Sequence, residues 1–443
     1  MKKNILLLFT LFVGQILVGQ TYTKSIISSN QAGGAFGLVE FEINGDNFLD
    51  LISASKTDNT LAFYINNGDG TFAQHIIDNS LSGATYGFAA DIDGDSDMDF
   101  VGAGDAEIAW YENDGSNNFT KHNVANVSDT SFVIVYDIDS DGDGDIGAAI
   151  SGEDYITAFL NNGSGSFSRV NAISTPNPKM FFSGDYNGDG TFDVLAPSFD
   201  NDKIEWYTFN GLYFAVGGTV TSNFDGVWWA EGADVDGDSD WDVVAASYNG
   251  NKISWFENDG TGTSFTEHVV DSNLNHAMYL RVIDLDGDSD MDIVATGNGN
   301  NGTGSEVAIY INDGSQNFTK TTVDNTELAP ACVSVRDFTG DGIPDIAFAS
   351  NMSNEYVLLT NTTSSVASNT KDLFSIYPNP AHQFIHIDTK KNVKTISIYD
   401  LTGRKILDDN QTDINISNLP QGNYLIKIVF NDGLSSTKKL LIY

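Results

Sequence analysis

Between residues 21 and 360 the chain is a succession of short runs in which apolar positions either alternate with polar ones or follow one another without a break. Alternation puts successive side chains on opposite faces of a strand, and a short unbroken apolar run fits a strand covered on both faces. One stretch shows the order. Residues 119–124 and 131–136 read as strands, an acidic loop follows, and 146–150 and 156–160 complete a set of four. Asn161, Asn162, Gly163, Ser164 and Gly165 then supply a turn that tolerates positive φ, and related turns recur at 66–70, 113–115, 258–262 and 312–314. The pattern is a β-meander repeated along the chain.

The acidic loop sets the period. It begins at Glu42, Asp91, Asp137, Asp185, Asp234, Asp284 and Asp337, with steps of 49, 46, 48, 49, 50 and 53 residues. Four strands in about 40–50 residues are the mark of a propeller blade, so the chain predicts an all-β fold with a seven-bladed β-propeller of four-stranded blades over 21–360. The last unit lacks an outer strand. The first has one to spare, because 22–27 (YTKSII) matches the outer strands FTKHNV at 119, FTEHVV at 265 and FTKTTV at 318, which predicts that the N-terminal strand closes blade seven. Residues 361–372 are polar, lack aromatics and read as a linker. Alternating strands return at 384–388, 395–399, 424–429 and 438–442, so 373–443 is predicted to be a small C-terminal β-sandwich.

Charge sharpens this picture. The formal net charge is −40, which excludes nucleic acid and anionic membrane surfaces as natural partners. The seven loops hold 29 of the 61 acidic side chains, whereas 373–443 has eight basic and six acidic residues. Residues 1–20 open with Lys2 and Lys3 and an apolar run over 5–18, short of the ~20 residues of a membrane span, and read as a secretory signal peptide. No later stretch is a transmembrane segment. Cys332 is the only cysteine, so a secreted fold of this size would be held without disulfides.

The loops are variants of D-x-D-G-D-x-D-x-D, and oxygen donors at positions 1, 3, 5 and 9, with a main-chain carbonyl at 7, suit a hard dication that takes six to eight oxygens. Position 1 is Glu42, Asp91, Asp137, Asp185, Asp234, Asp284 or Asp337. Position 3 is Asn44, Asp93, Asp139, Asn187, Asp236, Asp286 or Thr339. Position 5 is Asp46, Asp95, Asp141, Asp189, Asp238, Asp288 or Asp341, and position 9 is Asp50, Asp99, Asp145, Asp193, Asp242, Asp292 or Asp345. An EF-hand is excluded because position 12 is never Glu and the flanks are strands. Zinc is disfavoured by an all-oxygen donor set. Structural Ca²⁺ at several sites is the expectation.

These loops make 21–360 resemble the FG-GAP/VCBS-type repeats of calcium-binding seven-bladed propellers, nearer the bacterial VCBS-like variant because the F-G and G-A-P signatures are missing. The resemblance implies that each loop joins the innermost strand of a blade to the second, on one face of the disc. The C-terminal region is similar to the type A sorting domain of the type IX secretion system of Bacteroidetes. It carries Tyr377-Pro-Asn-Pro380, Ile398-Tyr-Asp-Leu-Thr-Gly-Arg404, Leu419-Pro-Gln-Gly-Asn-Tyr424 and Lys438-Lys-Leu440 in the expected order. That resemblance implies the type IX secretion machinery as a partner, export across the outer membrane, and either release or attachment to the cell surface.

A motif present in every blade cannot single out one ligand, so ligand contacts are sought in what differs between units. Five residues before the loop stand Tyr86, Phe132, Met180, Trp229 and Tyr279, with Trp228, Asn273, Asn275, His276 and Arg281 nearby. Tyr86, Trp228, Trp229, His276 and Tyr279 are therefore the candidate ligand face for a glycan or protein. No catalytic residues emerge: no Ser/His/Asp order, phosphate loop or isolated carboxylate pair stands out. The enzymatic alternative is a calcium-dependent polysaccharide lyase or hydrolase, as in some related propellers.

Overall fold

The computed structural model describes residues 20–29, 33–46, 48–139, 141–209 and 214–362, then 374–377, 381, 384–389, 391–400, 404–417, 419–420, 422–431 and 435–442. The predicted leader, apart from Gln20, and the linker from residue 363 lie outside them, as do Pro378–Pro380 and Leu401–Gly403 of the tail motifs. The chain divides into two compact units between Thr362 and Thr363.

The first unit contains seven four-stranded antiparallel sheets among the described residues. In blades one to six four consecutive strands pair in order, as in blade five with Val227–Ala233, Asp242–Ser247, Lys252–Asn258 and Phe265–Asp271. Burial explains the two kinds of run seen in the sequence. The second strand is buried at every position in six blades, as in Asp242–Ser247, and at all but Val194 in blade four, because neighbouring blades cover both its faces. The outermost strand, such as Phe72–Asp78, alternates between half-buried and exposed.

Blade seven takes its outermost strand from the other end of the chain. Tyr22–Ser28 pairs antiparallel with Glu355–Asn361, opposing Tyr22 to Asn361 and Thr23 to Thr360. The strand therefore runs past residue 360 into the expected linker. Lys24 fixes the strand by ion pairs to Asp324 (3.1 Å) and Glu327. The closing seam is also tied near the axis. The Cys332 thiol donates to the Leu38 carbonyl (3.1 Å), and the Tyr356 hydroxyl donates to that of Ala54 (2.8 Å).

Blade four departs from the pattern. Pro176 and Pro178 precede its inner strand, which is only Phe182–Gly184, so Met180 lies ahead of the strand rather than in it. The seam with blade three forms a surface-open apolar cavity of about 180 Å³ lined by Ile134, Phe181, Phe192 and Phe209, with Phe192 61% exposed. Among the described residues the second unit has a sheet of three strands and a sheet of four, and Ile385, Ile387 and Ile414 from one share a core with Ile396, Ile398, Ile426 and Ile428 from the other.

Candidate metal centres and the face opposite them

Each acidic loop is wound around its own carboxylates. In blade five Asp234 accepts the N–H groups of Gly237 (2.8 Å) and Ser239 (3.0 Å), Asp236 accepts that of Asp238 (3.2 Å), and Asp238 accepts that of Asp240 (3.1 Å). Such tight winding needs a left-handed backbone at positions 4 and 6, and Gly237 and Ser239 have φ of 82° and 79°.

Position 9 has a second task that the motif alone does not reveal. Asp242 is fully buried, and its two oxygens accept the N–H groups of Val235 (3.0 Å) and Asn258 (2.8 Å), tying the start of the loop to the end of the third strand. The same pair of bonds is made by Asp50, Asp99, Asp145, Asp292 and Asp345. Asp193 takes only the Tyr186 N–H, and its Oδ1 has no hydrogen bond. The asparagine that closes the third strand also crosses to the preceding blade. Asn258 donates to the carbonyls of Trp241 in its own loop and Tyr186 in blade four, both at 2.9 Å. Asn66 and Asn161 likewise reach Phe338 and Ile92 at 2.8 and 2.7 Å. In blade four this place belongs to Phe209, which lines the open seam instead.

In four loops positions 1, 3 and 9 each bring an oxygen within 4.8 Å of the others: Asp91/Asp93/Asp99, Asp137/Asp139/Asp145, Asp234/Asp236/Asp242 and Asp284/Asp286/Asp292. Position 5 stands outside these trios and is exposed at Asp95, Asp141, Asp238 and Asp288. In the other three loops position 3 is a neutral oxygen donor, Asn44, Asn187 or Thr339. Burial first, then repulsion from the other loop carboxylates, pushes Asp50, Asp99, Asp193 and Asp345 up to about 6 and Asp242 and Asp292 up to about 7, against the pull of their backbone N–H partners. Crowded, all-oxygen and short of positive charge, the trios fit a hard dication.

The expected ligand face separates into two groups. Tyr86, Trp229 and Tyr279 are at most 3% exposed and pack together in the axial channel, Trp229 lying 4.5 Å from Tyr279 and 5.7 Å from Phe132, which touches Tyr86 at 4.7 Å. They form a plug rather than a platform. Arg281 is also in the channel, not on a loop; it pairs with Glu231 and lies 5.4 Å over Trp229.

Trp228 and His276 are half-buried on the face opposite the acidic loops, joined by residues that sequence reading missed. Phe199 meets Trp228 edge-on at 5.6 Å, Trp228 lies 5.2 Å from Tyr248, and Tyr248 stacks on His276 at 4.3 Å and 9°. The Lys179 ammonium sits 5.1 Å over Trp228 and 5.4 Å over Phe199, where burial lowers its pKa. A signal existed: Lys179 and Trp228 both stand six residues before an acidic loop, and Phe199 and Tyr248 both stand fourteen after a loop's first acid. The three outer-strand histidines do not cluster. His75, His122 and His268 stack on Phe63, Trp110 and Trp255 of their own blades.

Comparison with known families matches 43–102, 91–148, 137–196, 234–295 and 284–348 to the FG-GAP-like repeat, and 375–443 to the secretion system C-terminal sorting domain. No curated protein matches by sequence. Among solved structures, the extracellular domain of the putative hybrid two-component system BT3049 from B. thetaiotaomicron is similar in fold, with a TM-score of 0.51 at 12% identity. That match covers 95% of this chain and 57% of that one. An Agrocybe aegerita lectin described as recognising non-reducing terminal N-acetylglucosamine has a TM-score of 0.46 at 20% identity, covering 70% of this chain and 85% of that one. With its acidic loops recurring through a ring of four-stranded sheets, the chain belongs to the FG-GAP-like repeat family, and it carries the C-terminal sorting domain of type IX secretion.

Proposed function

We propose that this is a non-catalytic binding module, released from the cell or displayed on its surface, whose propeller is stabilised by Ca²⁺ in the acidic loops and whose opposite face takes a glycan or protein ligand. The observation that carries this reading is the contrast between the two faces. One repeats the same oxygen-rich loop in every blade, which suits a fastening. The other gathers a connected row of half-buried aromatic side chains across blades four to six, which suits recognition. Charge supports the metal assignment, since 29 acidic side chains in seven short loops repel one another unless cations are held among them. The sorting domain supports an extracellular address, where calcium is plentiful and disulfides are the usual fastening that this chain lacks.

The test is to probe arrays of glycans and of surface proteins with the calcium-loaded chain, in parallel with polysaccharide digests. Saturable binding without product supports the module. Steady accumulation of unsaturated or reducing-end product replaces it with the enzymatic alternative.

A further inference from the structure

We propose that the aromatic row from Phe199 to His276 is a binding site for a neutral saccharide chain; this rests on the binding-module reading and names its ligand class. Fourteen residues past the first acid of the loop, five blades carry Lys56, Asp105, Ser151, Asn298 and Asn351, whereas blades four and five carry Phe199 and Tyr248. Blade adjacency puts these two rings beside Trp228, and with His276 they form a half-buried row across blades four, five and six. Residues 197–233, which hold Phe199 and Trp228, fall outside the matched repeats, whereas Tyr248 and His276 lie inside the repeat matched at 234–295.

His276 gives a second, independent indication. Its φ is 51°, at a turn position that is Gly34, Gly83 or Gly226 in three other blades and Asp129, Asn177 or Ala329, also at positive φ, in the remaining three. A side chain with a β-carbon is strained there, yet the imidazole is held by stacking on Tyr248 and by its Nδ1, 3.0 Å from the Gly299 carbonyl oxygen. That carbonyl can only accept, so Nδ1 carries the proton and Nε2 is the acceptor of the neutral ring. An acceptor beside aromatic faces suits a sugar, whose C–H surface packs on rings while a hydroxyl donates. Charge narrows the class. The Lys179 ammonium over two of the rings repels a cationic ligand, while exposed Asp200 and Asp225 and the net charge of −40 repel a polyanion.

The test is affinity electrophoresis of the calcium-loaded full chain in gels cast with laminarin, xyloglucan, galactomannan or starch, and with alginate or polygalacturonate as the acidic arm. The expected result is retardation by at least one neutral polysaccharide and by neither acidic one. Tyr248→Ala should weaken the association about tenfold or more. His276→Gly installs the residue the turn prefers, so its melting temperature should be unchanged or higher while retardation falls. Failure of every neutral polysaccharide to retard the chain, retardation by acidic ones alone, or full retardation of both variants would overturn the site. Binding on a protein array with none of these effects would keep the module and discard the saccharide.

Discussion

Asp242→Asn separates the two tasks of position 9, and its effect should change with calcium. In the metal-free chain at pH 8, the ionised carboxylate is buried among like charges, and a rise from 3.8 to about 7 corresponds to roughly 4 kcal/mol of destabilisation. The amide removes that load. It also turns an N–H group toward the N–H of Val235 or Asn258, which costs about 2–4 kcal/mol for a lost charge-assisted bond and a buried donor left unpaired. The two effects nearly cancel, so the metal-free variant should melt between the wild-type temperature and about 3 °C above it. With calcium bound the repulsion is already neutralised, so the cost remains in full, and it is a lower bound because a charged calcium ligand is lost with it. At roughly 0.7 kcal/mol per kelvin for a unit of about 340 residues, 2–4 kcal/mol lowers the melting temperature by ~3–6 °C. The assay is differential scanning calorimetry of both proteins with saturating calcium and with EGTA. A penalty of equal size in the two conditions would refute the reasoning. The sign with pH follows from the raised pKa: wild type without metal should lose stability as pH climbs from about 4 to about 7 through this group, and the variant should not.

Asp193→Asn should cost less than Asp242→Asn in calcium, because Asp193 holds one backbone N–H rather than two; equal losses would remove the hairpin-pinning role. Asn258→Leu leaves the carbonyls of Tyr186 and Trp241 unpaired, and chemical denaturation should show a loss of roughly 2–4 kcal/mol. Arg281→Met strands the buried Glu231 carboxylate in the channel and should cost ~3–5 kcal/mol, whereas Arg281→Met combined with Glu231→Gln should recover much of it. Lys24→Ala should speed amide exchange in Tyr22–Ser28 more than in Asp242–Ser247, and uniform exchange would argue against a separately fastened closing strand.

The acidic loops and their blade period were legible because every contact that makes them is local. Gly237, Asp234 and Asp242 lie within nine residues, and their spacing states their geometry. The ring closure was legible because Tyr22–Ser28 repeats the outer-strand pattern. What the motif concealed at Asp242 is that holding a cation and pinning a hairpin both demand a carboxylate, so one residue type serves two tasks. The candidate face was harder for a different reason. Trp228 and Trp229 are consecutive, and alternation sends one to the surface row and the other into the channel. Phe199 reaches Tyr248 only because adjacent blades bring equivalent positions 49 residues apart together. Phe209 shows the limit of the repeat itself, since it replaces an asparagine whose inter-blade bond is visible only in three dimensions.

Calcium stoichiometry tests the central claim most directly. Equilibrium dialysis of the purified chain against buffered calcium, read by atomic emission, should show four sites filled first, matching the four carboxylate trios, with any further binding weaker. Quadruple substitution of Asp93, Asp139, Asp236 and Asp286 by Asn should abolish that first class. A chain that retains no calcium at millimolar free concentration, or one in which that variant binds as wild type does, would contradict the account.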